Sequence, residues 1–187
     1  MRSDVIHLDW RNGPQALTHL CAGDAIELTG RVLTLRDASA ARIAHALQQG
    51  DRAPVSLDGQ ILYAVGPSPA KPGQIIGSAG PTTTARMARY FPALFAAGVR
   101  AVIGKGELHG SDMTTFTARG VVYFAAIGGL GALLAKHITA ATVVAYDDLG
   151  PEALFALDVE RFPVVTIIDT AGRNVHEDAR HAWRTSV

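Results

Sequence analysis

The chain has 187 residues, 48% of them hydrophobic, and its 17 lysines and arginines equal its 17 aspartates and glutamates. That length corresponds to one domain and can bury roughly 70% of the unfolded chain's surface, so no disulfide framework is needed. Balanced charge gives no basic field for nucleic acid or acidic lipid, and the apolar runs fall short of the ~20 residues that span a bilayer. The start, Met1-Arg2-Ser3-Asp4, has no apolar signal core. The expectation is a cytoplasmic protein that binds neither nucleic acid nor membrane. Cys21 is the single cysteine, which excludes an internal disulfide and any multi-cysteine metal site built by this chain alone.

Residues 5–10 alternate apolar and polar and read as a strand. Pro14 opens a short helix through Leu20. Residues 25–29 and 31–35 read as two strand segments around Gly30. Asp37 then reads as the cap of a helix that shares Ile43, Ala44 and Leu47 on one face and ends at Gly50. Residues 61–65 form a buried-type strand, followed by a long loop with Pro67, Pro69 and Pro72; loops of this length in a small domain tend to carry function.

A helix is predicted over 83–98, with Met87, Tyr90, Phe91, Leu94 and Phe95 as its apolar face and a kink or split at Pro92. A strand (99–104), a weak helix (111–119), a strand (121–127), a helix (131–137) and strands at 142–146 and 162–169 follow. The polar segment from Asn174 reads as a frayed or partner-facing tail. Alternating strands and helices imply a single α/β domain over residues 1–187, with a largely parallel sheet in its central half.

The run Gly77-Ser78-Ala79-Gly80-Pro81-Thr82-Thr83-Thr84-Ala85-Arg86-Met87 is a glycine- and hydroxyl-rich turn leading into an amphipathic segment. Such a turn can aim backbone N–H groups and hydroxyls at an anion. Thr82 and Arg86 are four apart and, on the first turns of a helix, would point into one volume. The competing reading is an ordinary capping threonine and a solvated arginine. Lys105, between Gly104 and Gly106, follows a hydrophobic strand, at the end where open α/β sheets gather ligands; a solvated turn lysine is the alternative. Arg36 likewise follows a strand and could clamp a carboxylate, or pair with Asp37 at the surface.

Gly128-Gly129-Leu130-Gly131 imitates a dinucleotide fingerprint, with Asp148 about 20 residues on. The third fingerprint position falls on Leu134, however, so the run reads as backbone for tight packing or anion approach rather than as an NAD site. The seven histidines form no metal-ligand spacing.

An ordered series of short motifs runs through the chain: Gly23-Asp24, Leu28-Thr29-Gly30, Arg36-Asp37, Gly66-Pro67, the segment from Ile76 to Thr83, Arg86-Met87, Gly104-Lys105-Gly106, the segment from Val122 to Gly129, Asp148-Leu149-Gly150, Glu152-Ala153, Phe162-Pro163 and Ile168-Asp169. The series resembles the β-subunit, or C-terminal domain, of class I iron–sulfur hydro-lyases, the fumarate hydratases and L-tartrate dehydratases. The run from Ala125 to Gly131 is more similar to the fumarate hydratases.

The resemblance implies a β/β/α swivelling domain that closes over a separate cluster-bearing α-subunit. It also implies the reversible hydration of fumarate to malate, with L-tartrate or another 2-hydroxydicarboxylate as alternative substrate. Carried across residue by residue, it makes Thr82 catalytic and Arg36, Arg86 and Lys105 substrate-binding. The [4Fe–4S] cluster it implies, a Lewis acid for the hydroxyl, belongs to three cysteines of the α-subunit. Isolated from that partner, the chain is expected to self-associate.

Two departures stand out. Ala40 replaces the histidine of the family's Arg-Asp-x-x-His-x-Arg pattern, leaving three readings: substitution by His45, a variant substrate or reduced activity. Phe155 stands where the family often has tryptophan. The rival outside enzymology is a non-catalytic dicarboxylate-binding or assembly protein of the same fold.

Overall fold

The computed structural model of the chain describes residues 4–185. Its strands in chain order are β1 (Ile6–Asp9), β2 (Ala25–Leu35), β3 (Ile61–Ala64), β4 (Ala101–Gly104), β5 (Val122–Ala125), β6 (Ile138–Ala145) and β7 (Leu154–Ile168). The α-helices are α1 (Asp37–Gln48), α2 (Phe91–Ala96), α3 (Gly110–Arg119), α4 (Gly131–Ala135) and α5 (Val175–Thr185). Short 3₁₀ turns cover Pro14–His19, Thr84–Tyr90 and Asp147–Glu152.

β2, β3, β4 and β5 are successive parallel neighbours, each reached by a crossover. β7 pairs antiparallel with both β5 and β2, so the five strands close into a ring; β1 and β6 extend it. β3 and β4 are buried at every position and β5 nearly so, as strands packed on both faces require. Inside the ring lie Ile26, Leu28, Tyr63, Ile103, Phe124 and Phe162. On the outer face, Leu35, Leu62, Val102 and Tyr123 pack under Ile43 of α1, Leu94 of α2 and Phe116 of α3. The alternation of side chains along each strand thus feeds two separate cores, one enclosed by the strands and one under the helices.

The two segments predicted around Gly30 are one strand. Register shifts between Leu28 and Gly30, and Arg161 opposite adopts a left-handed φ of 48°. A paired irregularity of this kind bends both long strands together and lets them close the ring. β7 also begins earlier than the predicted 162–169: its first half, 154–161, pairs with both β2 and β6 and sends Leu154 and Ala156 to the outer core but Leu157 and Val159 to the inner one. Pro92 splits the predicted 83–98 helix as expected: it lies in the first turn of α2, while Thr84–Tyr90 is 3₁₀. The polar segment after Asn174 forms α5 instead of a frayed tail: Asn174 Oδ1 accepts from His176 N (2.9 Å), and Asp178 N donates to Asn174 O.

Asp169, buried at the end of β7, accepts hydrogen bonds from Ala22 N, Ala171 N and Arg173 N and from Arg173 Nε. Burial alone would raise its carboxyl pKa, but the N–H groups of Ala22 and Arg173 and the Arg173 guanidinium outweigh it and hold the pKa below the usual value. A depressed carboxyl stabilises the fold above its unfolded pKa and loses that stabilisation as pH falls through the folded one. Below pH of about 4 the stability should therefore fall, and Asp169→Asn should give a flatter acid limb in urea unfolding from pH 7 to 2.5.

Phe116 makes edge-on contacts with Phe91 (5.2 Å between ring centroids) and Phe95 (4.8 Å) in the outer core. Phe116→Ala should remove about 3–5 kcal/mol of unfolding free energy, measured by urea denaturation.

Candidate functional site

Parallel pairing of β2 to β5 gathers four carboxyl ends along one edge. Arg36 follows β2, Gly66 lies just beyond β3, Lys105 follows β4 and Gly128 lies just beyond β5. Such an edge is where open α/β sheets hold ligands.

Across this edge lies the segment 81–84. Thr82 N donates to Ala64 O (2.7 Å), Lys105 N to Thr82 O (3.2 Å) and Thr84 N to Lys105 O (3.0 Å); Val65 bridges Pro81 and Thr83 bridges Lys105. Thr82 is therefore extended backbone wedged between the ends of β3 and β4. The sequence prediction of Thr82 and Arg86 stacked on the first turns of one helix is corrected: helical conformation starts only at Thr84 and is 3₁₀. The N–H groups of Thr82 and Thr84 bond to the strand ends, and Thr83 between them is extended, with ψ of 118°, so no helix runs through residues 82 and 83. The pairing brings Thr82 next to Lys105, which sequence spacing did not indicate.

Arg36 is the N-cap residue of α1, in extended conformation, with Ser39 Oγ accepting from its N–H. Asp37, expected to be the cap, is instead the first residue of the helix. Its carboxylate spans both arginines: Oδ2 is 3.6 Å from Arg36 Nε and 3.2 Å from Arg86 Nη2, and Oδ1 accepts from Arg86 Nε (3.3 Å). Glu152 Oε1 lies 3.2 Å from Arg36 Nη2, while its Oε2 accepts from Ala38 N at the start of α1 (2.8 Å). The Arg36 side chain is 21% exposed and that of Arg86 55%, so the first is partly embedded and the second faces solvent. Arg36 lies against Gly66, where a Cβ would fall 2.5 Å from Nη1. Sequence reasoning singled out Arg36 and Arg86 and raised the Arg36–Asp37 pair as an alternative, but missed the contact of Asp37 with Arg86 and those of Glu152 and Gly66 with Arg36. Glu152 and Gly66 both stood in the motif series, but their contacts with Arg36 needed the fold.

Lys105 is half-buried, its Cδ close to Gly128, and it makes no ion pair among the described residues. The turn that carries it is pinned from below. Tyr123 Oη donates to Gly106 O (2.8 Å) and pairs with Thr84 Oγ1 (3.1 Å). Burial pushes the Tyr123 hydroxyl up to about 12, against a smaller lowering by Thr84, so it remains a donor throughout the neutral range. Glu107, two residues after Lys105, pairs with Arg180 of α5.

The remaining predictions sort by position. Ala40 is fully buried against the outer core, whereas His45 is exposed, so His45 does not occupy the place of the family histidine. Of the Gly128–Gly131 run only Gly131 packs tightly: Ala79 N donates to its carbonyl (3.0 Å) and a Cβ on it would lie 2.7 Å from Gly80 N, whereas Gly128 and Gly129 are exposed and Gly129 faces open space. Cys21 is partly buried, away from this edge in the turn before β2. Among the described residues no three histidine, cysteine, aspartate or glutamate side chains are grouped to hold a metal ion, and no helix is long and apolar enough to cross a membrane.

The contact between β4 and Thr84 is close enough to test. A Cβ on Gly104 would fall 1.9 Å from Thr84 Oγ1 and 3.2 Å from Thr84 Cβ. Gly104→Ala should push the 81–84 segment off Lys105, lowering stability by about 1–3 kcal/mol, read by urea unfolding.

Comparison with known proteins identifies the family. The model of the fumarase C-terminus family matches residues 2–179. A provisionally named L(+)-tartrate dehydratase subunit beta of Methanocaldococcus jannaschii is 35% identical over 167 residues, covering 85% of this chain and 85% of that protein. A provisionally named class I fumarate hydratase of Geobacillus stearothermophilus is 34% identical over 169 residues, 88% of this chain but 32% of its own length. The aerobic class I fumarate hydratase of Escherichia coli strain K12 is 30% identical over 151 residues, 80% of this chain and 28% of that protein. This chain thus corresponds to most of the first relative and to less than a third of the other two. With its family model matched over nearly its whole length, the chain belongs to the fumarase C-terminus family.

Proposed function

We propose that this chain is the β-half of a class I hydro-lyase that adds water to, or removes it from, a four-carbon dicarboxylate, with fumarate and malate as the first substrates to consider. The observation that carries the reading is that Arg36, Thr82 and Lys105 stand at the ends of adjacent parallel strands, with Arg86 joined to Arg36 through Asp37. Two guanidinium groups suit two carboxylates, since each can offer a two-pronged edge of N–H donors. Lys105, without an acidic partner among the described residues, adds the uncompensated positive charge that favours a doubly anionic ligand and the still more negative aci-carboxylate formed when a proton leaves its α-carbon.

Thr82 is the residue we assign to moving that proton. Its backbone is fixed at both ends by Ala64 and Lys105, so its hydroxyl is carried on a rigid segment rather than a mobile loop. A threonine hydroxyl is too weak an acid to act unaided near neutral pH, and the charge of Lys105, whose backbone pairs with that of Thr82, would lower the cost of its ionised form.

The iron–sulfur cluster that the family resemblance implies does not fit this chain's own residues, which offer one cysteine and no three-ligand group among those described. We assign the cluster to a partner α-subunit, over which this domain swivels to close the site. A second substrate reading, L-tartrate, is favoured by the relative that matches over 85% of both chains and is named a tartrate dehydratase subunit beta.

The test is anaerobic turnover of fumarate, L-malate and the tartrates by this chain combined with its cluster-bearing partner. Thr82→Ala should lower kcat by about 10²–10⁴-fold, the range for loss of a general acid–base group, with far less change in KM. Turnover unaffected by Thr82→Ala would remove the proposed role, and absence of turnover on the whole panel would leave a binding function.

A further inference from the structure

The two arginines are themselves held, and the holding groups have no role in the reading above. Each guanidinium has an inner edge, Nε with Nη2, and an outer nitrogen, Nη1. For Arg86 the inner edge is taken by Asp37, with Oδ1 at 3.3 Å from Nε and Oδ2 at 3.2 Å from Nη2. For Arg36 the inner edge faces two acids: Glu152 Oε1 at 3.2 Å from Nη2 and Asp37 Oδ2 at 3.6 Å from Nε. Gly66 leaves the space that Arg36 Nη1 occupies, since a Cβ there would stand 2.5 Å away.

We propose that Asp37 and Glu152 are positioning residues: they grip Arg36 and Arg86 by their inner edges, set the two guanidinium groups at one spacing, and turn the outer nitrogens toward the two ends of a dicarboxylate. The proposal rests on the dicarboxylate reading of the site. Asp37 is central because a single oxygen, Oδ2, reaches both arginines. That oxygen and Arg36 Nε are both buried and lack a well-formed hydrogen bond, so this one link of the brace is incomplete in the structure without ligand. Glu152 couples the brace to the backbone, since its second oxygen caps Ala38 N. Two carboxylates on two guanidinium groups also leave the brace neutral, so Lys105 supplies the net charge and the arginines supply the geometry.

Asp37→Asn, Glu152→Gln and Gly66→Ala test this in the complex of the chain with its partner. The asparagine and glutamine variants keep shape and an acceptor oxygen while removing charge, so α1 and its cap should survive, as checked by the thermal midpoint. Each variant should raise KM for the dicarboxylate, and Ki for the unreactive probe succinate, by about tenfold or more. The fall in kcat should be smaller, and Ki for the monocarboxylate butyrate should change less than that for succinate. KM and Ki unchanged, or a lower thermal midpoint with unchanged Ki, would overturn the proposal. A lower Ki for succinate in Asp37→Asn would overturn it too, because Asp37 would then be a resident competitor for the arginines. Crystal structures of the variants supply a readout independent of turnover: displaced Arg36 and Arg86 guanidinium groups are expected, and unmoved ones overturn the brace. If the unmodified complex turns over no dicarboxylate, the reading of function fails, and these structures still decide whether the brace exists.

Discussion

The antiparallel pairing of β2 with β7 is the contact on which the rest of this molecule depends. It closes the ring of strands and so separates the interior core from the helix-covered one. It also fixes the site. With Leu33 opposite Ala156, continuing the register past the end of β2 brings Arg36 level with the residues that open β7, and Glu152 arrives beside it. Two residues 116 apart in sequence meet because two strands pair in one register. A one-residue slip would turn every side chain of β7 to the opposite core and carry Glu152 away from Arg36. The bulge at Gly30 and the left-handed Arg161 hold that register while letting both strands bend.

The chemistry at the strand ends divides between rigid backbone and paired charge. Thr82 and Lys105 are fixed by main-chain hydrogen bonds to each other's segments and by the Tyr123–Thr84–Gly106 contacts beneath them. Arg36 and Arg86 are long side chains, which lose considerable rotamer freedom when held in one place. Partly buried carboxylates hold them more firmly than exposed ones could, since screening by water weakens as the pair is enclosed. The site therefore combines a stiff floor with cations whose direction is set by acids.

Several features were legible from residue order because they depend on local chemistry. Residues 61–65 and 99–104 read as strands, Pro92 had to interrupt its helix, and close packing, one of two readings of the glycines at 128–131, holds at Gly131. Errors arose wherever a distant partner decided. The Thr82–Arg86 spacing suggested a helix face, but pairing with the ends of β3 and β4 holds residues 82 and 83 extended, and the 3₁₀ turn starts only at Thr84. Asp37 looked like a cap because it precedes an amphipathic run; the cap position fell one residue earlier, and the carboxylate was drawn to two arginines instead. His45 looked like a substitute for the histidine absent at position 40, but five helical residues rotate the side chain from the buried face to the exposed one.

By itself the sequence determined the α/β class, the parallel centre, the order of the motifs, and through them the family and the four residues assigned to the site. Those follow from hydrophobic periodicity, turn chemistry and residue identity, all of which are properties of neighbours in the chain. The tertiary structure alone decided that the sheet closes, that Thr82 is extended and paired with Lys105, and that Asp37 and Glu152 stand behind the arginines. Strand register and ion pairing act between residues far apart in the chain, and their outcome is settled only when the whole fold competes for each donor and acceptor.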